Sequence, residues 1–107
     1  MTPPSTVKVN GRVVAIKYRA AKHMPDAAGL FHPTRHLIEI SKGQDSQETR
    51  DTVLHETLHA LLYTQGREYG GELEETYVRA IATGLIGVLQ DNPAFSTWLI
   101  QPTPIPP

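Results

Sequence analysis

Two histidines and a glutamate stand in the stretch TVLHETLHALL, Thr52 to Leu62, as His55-Glu56-Thr57-Leu58-His59. Histidines four residues apart on a helix leave it from one face, close enough to share a tetrahedral metal ion. The glutamate between them stays off the metal but within reach of a metal-bound water, whose proton it can take. Bound zinc brings the pKa of that water from ~16 to about 7, which makes hydroxide available near neutral pH. The H-E-x-x-H pentapeptide is thus the sequence form of a zinc site that hydrolyses amide bonds. His55 and His59 are its candidate ligands and Glu56 its candidate general base. The plain alternative is a helix that happens to carry two surface histidines.

Two histidines need a third ligand, and the chain restricts the choice. It contains no cysteine, so thiolate sites, disulfides and a cysteine nucleophile are all excluded. No histidine follows His59, and a third imidazole would have to come from His23, His32 or His36. Leu62 and Gln65 stand where a metzincin continuation would need glycine and histidine. A downstream carboxylate is the other route, and Glu72, Glu74 and Glu75 open a second helix. Acidic residues there also favour the helix dipole, which accounts for one or two of the three. On a helical projection Glu74 and Glu75 fall on the apolar arc of that helix, whereas Glu72 does not. An ionised carboxylate aimed at a core is costly unless it is paired or bound to metal. Helical geometry leaves both Glu74 and Glu75 open as the third ligand.

The elements that must position these groups are legible from pattern. VKVNGRVVAIKY reads as a β-hairpin about Asn10-Gly11, with Val9 opposite Arg12 and Val7 opposite Val14. One face then gathers Val7, Val9, Val14, Ile16 and Tyr18. RAAKHMPDAAG is an irregular or short helical connection, and LFHPTRHLIEI a second pair of short strands about Pro33-Thr34. Asp45 and Glu48 have capping-box spacing and start a helix near 46 that runs to about Gln65. Its apolar stripe is Leu54, Leu58, Leu61 and Leu62. The histidines border that stripe, and Glu56 projects away from its centre. A second helix runs from about Glu72 to Gln90 and stops at Asp91-Asn92-Pro93. AFSTWLI, 94–100, is a last apolar segment, either helix or strand.

The expected fold is α+β: a small N-terminal antiparallel sheet of hairpins packed on two principal helices. The first helix carries H-E-x-x-H and the second the third ligand. A single domain over 7–100 follows a loose N-terminus, 1–6, and precedes a proline-rich tail, 101–107. A net charge of −1 gives no pull toward nucleic acid or anionic lipid. The N-terminus lacks the basic and apolar pattern of a signal peptide, and no apolar run approaches the ~20 residues of a membrane span. A soluble, cytoplasmic protein is the expectation.

The motif residues also resemble those of compact phage- and prophage-type metallopeptidase-like proteins, akin to the ImmA/IrrE family and more distantly to the gluzincins. The likeness rests on TVLHETLHALL, on E-x-x-V-x-x-I-A-x-G-L from Glu75 through Leu85, and on V-L-Q-D-N-P at 88–93. It implies zinc held by His55, His59 and Glu75, with Glu56 as general base. It further implies a protein or peptide substrate lying along an edge strand, here 36–40. The expected function is a zinc metallopeptidase acting as an endopeptidase. The alternative is a catalytically silent, zinc-stabilised accessory or regulatory module. A His₂-carboxylate set also suits manganese or iron. Tyr63, Tyr69, Tyr77 and Arg79 are the groups whose chemistry could steady an oxyanion.

Overall fold

A computed structural model describes residues 1–107. It contains strands β1 (Thr6–Val9), β2 (Arg12–Arg19), β3 (Gly29–His32) and β4 (Leu37–Ser41). Helices α1 (Ser46–Thr64), α2 (Gly71–Asp91) and α3 (Pro93–Leu99) follow. The architecture is α+β, a four-stranded sheet and then three helices. Asn10 and Gly11 take positive φ, and β1 and β2 pair with Val9 opposite Arg12 and Val7 opposite Val14. The 94–100 segment resolves as helix α3, with Pro93 in its first turn and the Ser96 hydroxyl donating to the Leu89 carbonyl.

The sheet is mixed rather than antiparallel throughout. Its order is β1-β2-β4-β3, and β2 runs parallel to β4, with Ile16 beside Ile38 and Tyr18 beside Ile40. The connection 20–28 carries the chain past the place that β4 later fills, so β3 is laid down at the outer edge. A 3-10 turn at Pro33–Arg35 then returns β4 between β3 and β2. Turn signals fix the partners inside each hairpin but not how two hairpins meet, and so the parallel seam has no local signal in the sequence. It follows that segment 36–40 is interior and that β3 is the edge strand on this side.

β4 carries the pattern of a strand covered on both faces: Leu37, Ile38, Ile40 and Ser41 are all buried. Glu39, half-buried among them, accepts from His32 Nε2 at 2.6 Å and Arg19 Nε at 2.8 Å. These bonds, that from His32 first, hold its carboxyl below the usual carboxylate range.

α1 opens with the expected capping box, Glu48 N–H donating to Asp45 and Asp45 N–H to Glu48. The helix lies between two layers, the sheet on one side and α2 on the other. Val53, Ala60 and Leu61 meet the core formed by Val9, Val14, Ile16, Ile38 and Ile40. Leu54 instead lines a groove with Ile86 and Leu89 of α2. The sheet therefore contacts the face of α1 that carries Glu56 and Ala60, not the centre of the leucine stripe. Glu56 is consequently buried, contrary to the expectation from a single apolar face. A helix between two layers has two buried faces, which a one-stripe reading does not anticipate.

α2 packs chiefly on α1 and α3, burying Val78 and Ala82. The Thr83 hydroxyl donates to Asp51, and Gln47 and Gln90 exchange amide hydrogen bonds, tying the two long helices along their length. No helix is long and apolar enough to cross a membrane.

Ile38→Ala empties a fully buried site at the parallel seam and should cost roughly 2–5 kcal/mol in urea unfolding. Val13→Ala, on the exposed side of β2, should stay within about 0.5 kcal/mol. Similar losses at both positions would mean that the core is not centred on β4.

Candidate metal centre

His55 and His59 lie on successive turns of α1, and their Nε2 atoms are 3.2 Å apart. Glu75, in the first turns of α2, reaches both: its Oε1 is 2.7 Å from His55 Nε2 and its Oε2 is 3.1 Å from His59 Nε2. One ligand atom from each of the three residues lies within 4.8 Å of the others, so the group could hold a metal ion. The donor spacing fits that use. Bonds of 2.0–2.1 Å to a tetrahedral ion put neighbouring ligands roughly 3.3 Å apart; the two imidazole Nε2 atoms, at 3.2 Å, are near that edge length, while the carboxylate sits closer, its Oε1 at hydrogen-bonding distance from His55.

Glu74 and Glu75 have different places. Glu74 is buried and accepts from His59 Nδ1 at 2.5 Å, on the ring atom facing away from the cluster. Its other oxygen accepts the backbone N–H groups of Tyr69 at 2.9 Å and Gly70 at 3.2 Å. Burial alone would raise the Glu74 carboxyl. The bonds from His59, Gly70 and Tyr69 outweigh it and hold the group below the usual range. Gly70 and Gly71 both adopt positive φ, turning the chain so that those N–H groups converge on Glu74 as α2 begins. Adjacent carboxylates thus take opposite sides of one imidazole, a split decided by the 70–71 turn and not by helical phase.

Glu56 sits against the sheet, its Oε2 3.9 Å from His55 Nε2. Burial pushes its carboxyl up to about 7; nearby His59 works against that rise and Glu75 adds to it. Burial also lowers the His55 imidazole, against the opposing pull of Glu75. Gly29 of β3 is the roof over Glu56. A Cβ there would lie 2.6 Å from Thr52 Cγ2 and 2.9 Å from Glu56 Cγ, so only glycine lets β3 approach α1 this closely. Nothing in a lone glycine ahead of a strand signals that role in sequence.

Open space flanks the cluster on both sides. A cavity of about 480 Å³ includes Asp26, Asp51, His55, Glu56, Glu75 and Arg79 among its walls. A second, of about 290 Å³, includes Phe31, Pro33, Glu56, His59, Glu68 and Glu75. Gly29, Glu56 and Glu75 belong to both, so one groove passes beneath the β3 edge across the cluster. Arg79 lines this groove, with its guanidinium 3.4 Å from Glu75 Oε1. Tyr63 instead packs edge-on against Phe31, while Tyr69 and Tyr77 are exposed, and none of the three borders either cavity. His32 is engaged by Glu39, His36 lies 3.5 Å from Arg12, and neither these nor His23 join the cluster.

Two measurements follow from this packing. A carboxyl raised on folding favours the native state fully below its unfolded pKa, ~4.3, and loses that contribution as pH rises through about 7. Chelator-treated Glu56→Gln should therefore be more stable than wild type at pH 8, by of order 2–3 kcal/mol, with no gain at pH 4. Equal gains at the two pH values would remove burial of the charge as the cause. Gly29→Ala should lower stability by about 1–3 kcal/mol in thermal unfolding, because the added methyl meets both Thr52 and Glu56. An unchanged melting temperature would mean that β3 moves aside freely.

No family model, curated protein or solved structure matches the chain, so what the cluster does rests on its own atoms.

Proposed function

We propose that the protein is a zinc-dependent metallopeptidase of the H-E-x-x-H type, with His55, His59 and Glu75 as metal ligands. The observation that carries the proposal is the convergence of His55 Nε2, His59 Nε2 and the Glu75 carboxylate beside a buried acid, Glu56, in an open groove. Zinc bound there would supply a Lewis acid that polarises the substrate carbonyl and acidifies water. Glu74 would fix the ring of His59 by holding Nδ1–H, leaving Nε2 free as donor. Glu56, with its carboxyl near neutrality, is suited to take a proton from the attacking water and pass it to the leaving amine. An extended peptide would lie in the groove along the open edge of β3, using backbone pairing that the sheet leaves unsatisfied. Arg79 is the one cationic side chain on the groove wall and would face the carbonyl side of such a peptide.

Three protein donors would leave a tetrahedral ion one position for water or substrate, as a catalytic site requires and a closed structural site does not. The likeness of the motifs to compact phage-type metallopeptidase-like proteins points the same way.

The test is metal content of protein purified without chelator, followed by cleavage of a mixed peptide library. Wild type should carry about one equivalent of zinc, and Glu75→Ala should lose most of it. Glu74→Ala should bind zinc 10–100-fold more weakly. Glu56→Gln should keep the metal and cut at least 100-fold more slowly. No metal even after adding zinc would overturn the reading. Bound zinc with no cleavage of any peptide would leave the silent, zinc-stabilised module in its place.

A further inference from the structure

Glu56 is only 7% exposed, yet its carboxyl accepts no hydrogen bond; the imidazole nitrogen nearest it, His55 Nε2, stands 3.9 Å away. A buried polar group left this way costs free energy unless a donor reaches it from outside the fold. Glu56 borders both cavities of the groove, which marks the groove as the place where a ligand meets it.

The groove runs lengthwise between the two long helices and has unlike ends. Along α1 its walls take residues 51, 52, 55, 56 and 59 in turn, and along α2 they take 83, 79 and 75 in the same direction. The larger cavity is therefore the end nearer the start of α1, and the smaller the end nearer the start of α2. At the smaller end Leu30, Phe31 and Pro33 form an apolar wall, with exposed Glu68 beside it. The larger end is walled by Ala27, Ala28, Gly29, Thr52 and Thr83, and by the carboxylates of Asp26 and Asp51. Small side chains keep this end open, at about 480 Å³, and its two aspartates take no part in the metal cluster.

Neither aspartate has a cationic partner. Asp51 is half-buried and accepts only the Thr83 hydroxyl, 3.1 Å away at its nearer oxygen, while Asp26 accepts no side-chain hydrogen bond. None of the ion pairs of the chain includes either residue. Arg79, the single Arg or Lys on this wall, lies 3.4 Å from Glu75 instead. Nor are the two aspartates a second metal site, because no third ligand joins them at metal distance.

We infer that this end of the groove seats a lysine or arginine side chain of an extended peptide. On the peptidase reading, on which this consequence rests, the substrates carry a basic residue close to the bond that is cut. The reach is right. Asp51 precedes His55 by one helical turn, roughly 6 Å along α1. A peptide strand advances ~3.3 Å per residue and lysine adds a flexible four-carbon stem, so a residue beside the cut bond brings its charge to Asp51. A glutamate in the same place would meet two like charges, and an uncharged side chain would leave both carboxylates unpaired as water is displaced.

The test is binding, read by fluorescence anisotropy in about 0.15 M salt, where weak surface attraction is screened. Zinc-supplemented Glu56→Gln serves as the background, so that no peptide is consumed. Three labelled nonapeptides are compared, with alanine alternating with lysine, glutamine or glutamate. The lysine peptide should bind roughly tenfold tighter than the glutamine peptide, and the glutamate peptide should bind most weakly. Asp26→Asn with Asp51→Asn should bring the lysine and glutamine peptides within about twofold of each other. The amide keeps the size of the acid, and at 51 it can still accept from Thr83, so circular dichroism should show the fold unchanged. Glu68→Gln, at the other end of the groove, should leave the preference in place.

Equal binding of the lysine and glutamine peptides, or no binding of either, would overturn the inference. So would a lysine preference that survives the double substitution or falls equally with Glu68→Gln. The peptidase reading fails by a different route, through absence of zinc or of cleavage in the wild type. A lysine preference carried by Asp26 and Asp51 in a protein that cuts nothing would keep the cation seat and remove the peptidase alone.

Discussion

One buried carboxylate, Glu74, sets the relation between the two long helices. It accepts from His59 on α1 and from two backbone N–H groups of the turn that starts α2. A buried charge is tolerated only when it is hydrogen-bonded, and these three donors supply both of its oxygens. The rotational phase of α2 is fixed as a result. With Glu74 held on the outer side of the His59 ring, the next residue, Glu75, is delivered to the inner side, where both Nε2 atoms lie. Thr83 with Asp51, Gln47 with Gln90 and Glu75 with the two histidines also join the helices, but Glu74 is the buried member of these bonds, where a lost partner cannot be replaced by water.

The same economy governs the other wall of the groove. α1 must touch the sheet on one side and α2 on the other, and small residues make both approaches possible. Ala60 lies on the sheet core, Ala82 faces inward from α2, and Gly29 brings β3 down onto Glu56. A carboxyl pressed against the sheet is poorly solvated, which makes it a better proton acceptor than an exposed glutamate at neutral pH. The burial that raises the Glu56 carboxyl also costs the native state free energy wherever the group ionises.

Much of this was legible in the chain itself. Asn10-Gly11 and the flanking alternation gave the first hairpin with its register, because turn type and side-chain period agree there. Asp45 and Glu48 marked the start of α1, and Pro93 the end of α2, because caps and breakers act locally. The triad of His55, His59 and Glu56 was visible as a pattern on one helix. What escaped were relations between segments distant in sequence. The parallel seam of β2 with β4, the edge position of β3, and the burial of Glu56 all depend on how layers stack. The separate tasks of Glu74 and Glu75 depend on two left-handed glycines just ahead of them. Helical phase at 100° per residue places both acids near the same arc; only the turn decides which side of the imidazole each one takes.

The strand order has a consequence for the growing chain. β4, the last strand to be made, occupies the interior of the sheet, so the β1–β2 hairpin waits with the whole flank of β2 unsatisfied until residue 41 has emerged. An idle edge of that kind invites pairing with a neighbouring nascent chain. β2 carries Arg12, Lys17 and Arg19 along its length, all exposed in the finished fold. Two like-charged flanks of this sort repel each other, which guards the incomplete sheet against self-association during synthesis. Arg19 is released from that duty only when Glu39 arrives beside it on β4.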